Sequence, residues 1–323
     1  MPSDPTPPQR PRTQRPWRAW IYQALMLLAL LALVGWLVGN TGRNMAQRGI
    51  QSGFDFLLQP AGFEIGESLF DFDASQAYWL AFLTGLGNTV RVALVGCVLA
   101  TLLGTALGLG RRARHPLLSS LCACYVELFR NIPLLLQLLM SYLLLAQALP
   151  AFDAPWQMAG LRLDKGGLAW LGVAGTEPVF TLSPEFLALT LGLSLYTAAF
   201  IAEIVRAGLQ AVPRGQALAA AALGLRPAQA LRYVQMPQAL RLIVPPLTNQ
   251  FLNLTKNSSL AVAIGYPDVV SIANTAINQT GRAVECIAVV MAVYLCTSLL
   301  TAAVMHRYNA RVTARQATAC AIP

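Results

Sequence analysis

Apolar and polar positions alternate along this chain on the scale of whole helices rather than single turns. Uncharged runs at 19–40, 92–110, 132–152, 186–202 and 286–305 each approach the roughly 20 residues that a membrane-spanning helix requires. A sixth run, 242–265, is interrupted only by Lys256. The pattern predicts an all-α polytopic bundle of about six spanning helices, with 186–202 the shortest run. Two stretches between the runs, 41–76 and 153–184, are too long for ordinary helix connections. The first contains FDFLLQPAGFEIGESLFDFD, with enough aromatics and alternating polarity for a short interfacial helix or docked turns.

Composition agrees with a membrane chain. Hydrophobic residues are 56% of 323 positions, charged residues 11%, and the mean hydropathy is +0.54, which excludes an ordinary soluble domain of this length. Arg10, Arg12, Arg15 and Arg18 precede the first apolar run, as in a secretion signal. That run is too long for a signal core and Leu37-Val38-Gly39-Asn40 offers no small-x-small cleavage site, so it reads as an uncleaved anchor helix. Residues 1–18, rich in proline, form a disordered basic tail.

Charge orients the bundle. Six spans that start from a cytoplasmic N-terminus place the tail, 111–114, 206–241 and the C-terminus inside, and these hold most of the 23 basic residues. The other side receives Arg43, Arg48, Arg162, Lys165 and Arg282 together with most of the acids. The net charge of +9 therefore reflects topology, and scattered arginines do not make a nucleic-acid surface.

Between two apolar runs lies VPRGQALAAAALGLRPAQALRYVQMPQALRLIVP (212–245). It reads as two short helices, one from Arg214 to Leu223 closed by Gly224, the other from Pro227 to Gln235, ending before Pro237. The alanines give the first helix a thin surface that a groove on another protein could accept, and Arg214, Arg226, Arg232 and Arg241 surround it with charge. Docking is the use this implies. Elsewhere, Gly96, Ala100, Gly104 and Gly108 recur every four residues, which predicts close helix packing.

Ionisable groups at membrane depth must pair, face a cavity or reach an interface. Glu127 and Arg130, in ELFRNIP with Asn131, share a helical face, and Glu203 and Arg206 repeat the spacing. Two internal ion pairs or cross-pairs between helices follow, serving either to lock the bundle or to gate it. Asn249, Asn253, Lys256 and Asn257 recur at i, i+4, i+7 and i+8 and form a polar stripe. The stripe lines either a translocation cavity, offering amides and a cation to a carboxylate, or an interhelical hydrogen-bonding seam.

No nucleotide-binding loop is present, because the lysines, Lys165 and Lys256, follow Asp164 and Thr255 rather than a glycine-rich turn. Any ATP is hydrolysed by another subunit. His115 and His306 sit at helix ends without a carboxylate or cysteine cluster, so no metal site and no cofactor are expected. Cys122-x-Cys124 has the wrong spacing for zinc or redox chemistry, and the cysteines read as reduced packing residues.

The 212–245 segment resembles the coupling motif of ABC-importer permeases, written EAA, three residues, G, and a downstream LP. Ala219, Ala220 and Gly224 hold the second Ala, third Ala and Gly, and Met236-Pro237 stands for Leu-Pro. The flanks AEIVRAGLQAVPRGQ and PQALRLIVPPLTNQFLNLTKNSSLAVAIGY are similar to the polar amino-acid permeases, and GFDFLLQPAGFEIGESL with FRNIPLLLQ to permeases of general L-amino-acid importers. The likeness spans about 46–308. It implies a type I importer fold, an ATPase-coupling hairpin carried by Arg214, Gly215, Leu218, Ala219, Ala220, Gly224 and Pro237, and a core pathway near Glu127, Arg130, Asn131, Glu203 and Arg206. It also implies bilayer lipid, a cytoplasmic ATPase dimer, a second and non-identical permease, and an extracytoplasmic amino-acid-binding protein as partners in a bacterial inner membrane.

One departure is Leu218, where the family has Glu, which implies unequal hairpins in the assembled pair. The resulting organisation is a tail at 1–18, anchor and linker at 19–78, a permease core at 79–308 with the hairpin at 212–241, and a C-terminal cytoplasmic tail at 309–323. The expected activity is transport, not bond chemistry. An ion-driven secondary transporter using Glu127 and Glu203, or a membrane-anchored scaffold or sensor, are the alternatives.

Overall fold

A computed structural model describes residues 16–47, 49, 52–69, 71–172 and 178–319. The chain divides into two units, Met1–Gly53 and Phe54–Pro323. In the first, α1 (Pro16–Gln47) is one long apolar helix whose described side chains are almost all exposed, the state of a helix solvated by hydrocarbon. Residues 1–15 of the basic tail lie outside the described residues.

The second unit begins with a strap, 54–77. A 3-10 turn at Asp55–Leu58 leads to a segment that returns on itself through a Pro60–Ala77 bridge. Phe56 is fully buried and meets Tyr78 edge-on at 5.5 Å, and the half-buried Phe63 lies 6.1 Å from Tyr78 and 6.2 Å from Phe72. The linker thus holds docked turns.

Next comes α2 (Tyr78–Gly110), which starts well before the uncharged run at 92 because Arg91 within it is neutralised by the strap. The 132–152 run is not one straight span. Pro133 forces Ile132 into an extended conformation, so α3 (Pro116–Asn131) and α4 (Leu134–Ala148) meet at 109°.

The 153–184 linker departs from the all-α expectation. It folds as an antiparallel meander of β1 (Trp156–Met158), β2 (Leu161–Asp164), β3 (Gly167–Trp170) and β4 (Phe180–Leu182). Asp164 pairs with Gly167 across a two-residue Lys165-Gly166 turn, and the Asp164 carboxylate accepts the Gly166 N–H at 2.7 Å.

Ser183 caps α5 (Pro184–Gln210), accepting the Phe186 N–H at 3.0 Å. Then follow α6 (Arg214–Ala222), the single turn α7 (Pro227–Gln229), a π turn at Ala230–Gln235, α8 (Met236–Asn257), a 3-10 segment at Ser258–Ile264, α9 (Val269–Thr280) and α10 (Ala283–Ala319). Among the described residues, four helices are long and apolar enough to cross a membrane, or six if each bent pair is one span.

The core sits between α2 and α5. Gly96 lies against Leu254 of α8 and next to Ser194, Gly104 faces Ala198 and Ile201, and Gly108 faces Ala202 and Val205, so α2 and α5 run parallel in near contact. A Cβ at Gly104 would stand 2.7 Å from Ile201 and 2.8 Å from the Ala198 carbonyl, and one at Gly108 2.7 Å from the Ala202 carbonyl. The small-residue stripe is therefore a packing seam, as its spacing predicts.

Gly104→Ala and Gly108→Ala are expected to lower thermal stability by the overpacking cost of about 1–3 kcal/mol. Gly215→Ala meets nothing within 4 Å and is expected to be neutral or slightly stabilising. Thermal unfolding of the purified protein in detergent checks the contrast.

Candidate functional site

The hairpin begins where α5 presses on α8: a Cβ at Gly208 would meet Ile243 at 2.4 Å, and Val212 is buried beside that contact. After it, α6 projects outward. Its end is a complete Schellman closure, since Leu225 N–H donates to the Ala220 carbonyl at 3.1 Å and Gly224 N–H to that of Ala221 at 3.0 Å. Gly224 adopts φ +76°, the left-handed region that a side chain resists. Ala220 packs inward, whereas Arg214, Gly215 and Ala219 are exposed. Leu218 and Leu223 are 71% and 82% exposed, an apolar pair at the tip left uncovered among the described residues.

The second hairpin helix does not stop before Pro237. Proline there has no N–H and its ring crowds the preceding turn, and the chain answers with the π turn at Ala230–Gln235 and then continues as helix. From Pro227 to Ile264 the hairpin and the polar stripe therefore share one helical segment, with Pro245 and Pro246 inside it.

Near the hairpin end of the bundle, Glu203 is the charge hub. Its Oε2 accepts Arg206 Nε at 3.0 Å and Arg111, at the end of α2, at 2.5 Å, while Oε1 accepts Arg206 Nη2. Arg206 also donates to Gln210 at 2.6 Å. The predicted pair on α5 thus forms and gains a cross-link to α2. The pair on α3 does not form: Arg130 lies over the Phe200 ring at 5.4 Å, Asn131 donates to the Glu127 carbonyl, and Glu127 joins no ion pair among the described residues.

On α8, Asn249, Asn253 and Lys256 are exposed and Asn257 half-buried. None of the hydrogen bonds among the described residues engages these four side chains, whereas the opposite side of the helix buries Ile243, Val244 and Leu254. Among the described residues of this unit the stripe therefore forms no hydrogen-bonded seam, and it presents at least two amides and a cation at the surface.

A polar node at the strap end escaped the sequence reading. Glu67 pairs with Arg91 at 2.7 Å with both side chains about nine-tenths buried, and also accepts the Ser183 N–H at 3.3 Å. Asn88, fully buried, donates to the carbonyls of Glu67 and Pro267 at 2.7 and 2.9 Å. Arg91 is sandwiched by Phe186 and Phe180 at 4.4 and 4.9 Å. The signal was present as an arginine and an asparagine inside an apolar helix, but their partners lie far along the chain. Nearby, Arg282 on the loop before α10 pairs with Asp55 of the strap, and its guanidinium holds that carboxyl below the usual range. Tyr78 adds a 2.6 Å bond to Gln279. A cavity of about 390 Å³ opens between strap and bundle, with Glu64, Glu67, Glu185 and Ser271 in its wall.

A multi-pass helical bundle with a projecting hairpin and an exposed polar stripe has the architecture of a membrane permease subunit. Residues 100–315 match the model of the binding-protein-dependent transport system inner membrane component, and the chain belongs to that family. It is 39% identical to the general L-amino acid transport system permease protein AapQ of Rhizobium johnstonii, over 86% of this chain and 88% of that one. The figure is 40% for the putative amino-acid ABC transporter permease protein YhdX of Escherichia coli, over 86% and 90%. Among solved structures, the crystal structure of an amino acid ABC transporter with histidines aligns at a TM-score of 0.58 and 29% identity, over 72% of this chain and 95% of that one. The MetNI methionine ABC transporter, at 20% identity and a TM-score of 0.56 over 72% and 97%, shares the fold.

Gly224→Val is expected to strain the hairpin closure by about 1–2 kcal/mol, the cost of left-handed backbone for a residue with a Cβ, while the spanning helices still insert. The variant should lose copurifying ATPase. Wild-type recovery of the ATPase would show that the left-handed turn does not shape the docking surface.

Proposed function

We propose that the chain is a permease subunit of an ABC importer that carries amino acids across a bacterial inner membrane, driven by a separate ATPase and supplied by an extracytoplasmic binding protein. The observation that carries this reading is the outward hairpin, a capped helix with two exposed leucines, joined through one helical segment to the polar stripe. The amino-acid cargo rests on the relatives at 39% and 40% identity. Family membership implies the ATPase and binding-protein partners. The bias of basic residues supports a cytoplasmic hairpin and termini, with the strap and meander outside.

A second permease, non-identical in sequence, completes the pore. The outward orientation of Asn249, Asn253 and Lys256 supports a pathway at that seam, where their amides and ammonium group meet a substrate carboxylate. When the ATPase dimer closes on ATP it draws the two hairpins together, and the continuous helix carries that displacement to the stripe, so access alternates. Glu203, Arg206 and Arg111 keep the ends of α2 and α5 together during the stroke, with Arg130, Asn131 and Glu127 on α3 beside them.

The test is uptake of labelled amino acids into vesicles holding the complete complex. Vanadate should abolish uptake and a protonophore should leave it, whereas the reverse result makes the protein an ion-driven carrier.

Leu218 stands where the family's glutamate docks, and a leucine accepts no hydrogen bond. A charge-assisted pair of about 1.5–3 kcal/mol is then made only on the partner permease's side. Leu218→Glu should preserve or strengthen ATPase copurification, and Leu218→Ala should harm uptake less than removing the corresponding glutamate of the second permease. If Leu218→Ala proved the more damaging, Leu218 would be an apolar anchor in the ATPase groove.

A further inference from the structure

Between the 3-10 segment at Ser258–Ile264 and α9 the chain makes a short joint, 265–268, across which the helical path bends by 49°. Gly265 opens the joint in the left-handed region at φ +81°. Asp268 closes it as the cap of α9, its carboxylate accepting the Ser271 N–H at 2.8 Å and the Tyr294 hydroxyl of α10 at 3.3 Å. The start of α9 rests on α2. A Cβ at Gly85 would stand 3.1 Å from the Val269 backbone, and Thr89 Oγ1 accepts the Val269 N–H at 3.4 Å.

Asn88, one position before Thr89, reaches two elements at once. Its Nδ2 donates one hydrogen to the Pro267 carbonyl of the joint at 2.9 Å and the other to the Glu67 carbonyl of the strap at 2.7 Å. The side chain is fully buried. Its two acceptors fix which way the amide points, since a flipped amide would set an oxygen against two carbonyl oxygens. Both N–H bonds belong to one planar group that turns about one soft torsion. Displacing either carbonyl therefore re-aims the hydrogen offered to the other.

The surroundings of this bridge leave room for a second arrangement. Asn88 Oδ1, Arg91 Nη2 and Tyr266 Oη are buried without a hydrogen bond among the described residues. Tyr266 belongs to the joint and packs against Phe186 at 5.9 Å, and Phe186 in turn lies against Arg91, the partner of Glu67. A polar node short of partners holds its geometry less firmly than a fully bonded one, so it rearranges at low cost.

We propose that Asn88 is a positioning residue that couples the strap to the pathway helix, so that the strap adopts a different arrangement in each nucleotide state of the transporter. This inference rests on the reading of the chain as an importer subunit. Motion of α8 that begins at the hairpin passes through the 3-10 segment to the Pro267 carbonyl, and Asn88 passes it on to the Glu67 carbonyl. Coupling of this kind is reciprocal. A binding protein that favours one arrangement of the strap thereby favours the matching arrangement of the polar stripe.

The test is hydrogen exchange read by mass spectrometry on the complete complex in nanodiscs, with and without ATP and vanadate. In the wild type, trapping should change exchange together at the hairpin amides 214–225, at 258–266 and at the strap amides 61–69, the last by about fivefold or more. Asn88→Leu, which has no donor, and Asn88→Ser, which has a single hydroxyl hydrogen, should each abolish the strap response. Both should leave the other two responses and basal ATP hydrolysis near wild type. Thr89→Val, whose bonds go to Gly85 and Val269, loosens the same seat of α9 on α2 and should keep all three responses. A strap response that survives both Asn88 variants, or one lost equally in Thr89→Val, would overturn the assignment. So would a wild-type strap that stays unchanged while the hairpin and 258–266 respond, a result that decides the matter even if the variants fold poorly. Absence of any response at the hairpin would overturn the importer reading itself, and this coupling with it.

Discussion

Backbone-to-backbone contact between α2 and α5 is the constraint on which the remaining geometry depends. Membrane helices gain little from hydrophobic association because the surrounding lipid is equally apolar, so stability comes from close van der Waals contact. Gly96, Gly104 and Gly108 let α5 approach until the Ala198 and Ala202 carbonyls lie against the α2 backbone. That contact fixes the two helices as parallel and in register. It brings Arg111 to Glu203 at the hairpin end, and at the strap end it sets Arg91 between Phe186 and Glu67.

These charges are intelligible only as consequences of that approach. An arginine at membrane depth is costly unless it is paired and hydrogen-bonded. Arg91 meets a carboxylate and two aromatic faces, and Glu67 meets both Arg91 and the Ser183 N–H, which offsets much of their desolvation although Arg91 Nη2 is buried without a hydrogen bond among the described residues. At the opposite end one carboxylate serves two arginines. The strap and the hairpin are thus anchored to the same helix pair, one at each end.

Continuity of backbone links the hairpin to the polar stripe. The π turn at Ala230–Gln235 accommodates Pro237 without ending the helix, so the segment that starts in the hairpin reaches the stripe without a flexible joint. A loop at that point would absorb a displacement of α6, whereas a helix transmits it.

Much of this was legible in sequence because it depends on local chemistry. Apolar run length marked the spans, four-residue spacing marked the glycine seam, and Gly224 followed by Pro227 marked the turn of the hairpin. Glu203 and Arg206 were readable as a pair since one helical turn separates them. What the sequence left open involved residues distant along the chain. Its uncharged window ended at Arg91 because Glu67, on a strap, and the aromatic rings that neutralise it are not neighbours in sequence. Glu127 and Arg130 have the spacing of a pair, yet Phe200 on another helix takes the guanidinium. Pro237 looked like a stop because the widened turn that relieves it is a property of six residues together. The stripe was visible as a pattern, but which side of α8 entered the core was decided by tertiary packing, which buried Ile243, Val244 and Leu254 and left Asn249, Asn253 and Lys256 exposed among the described residues.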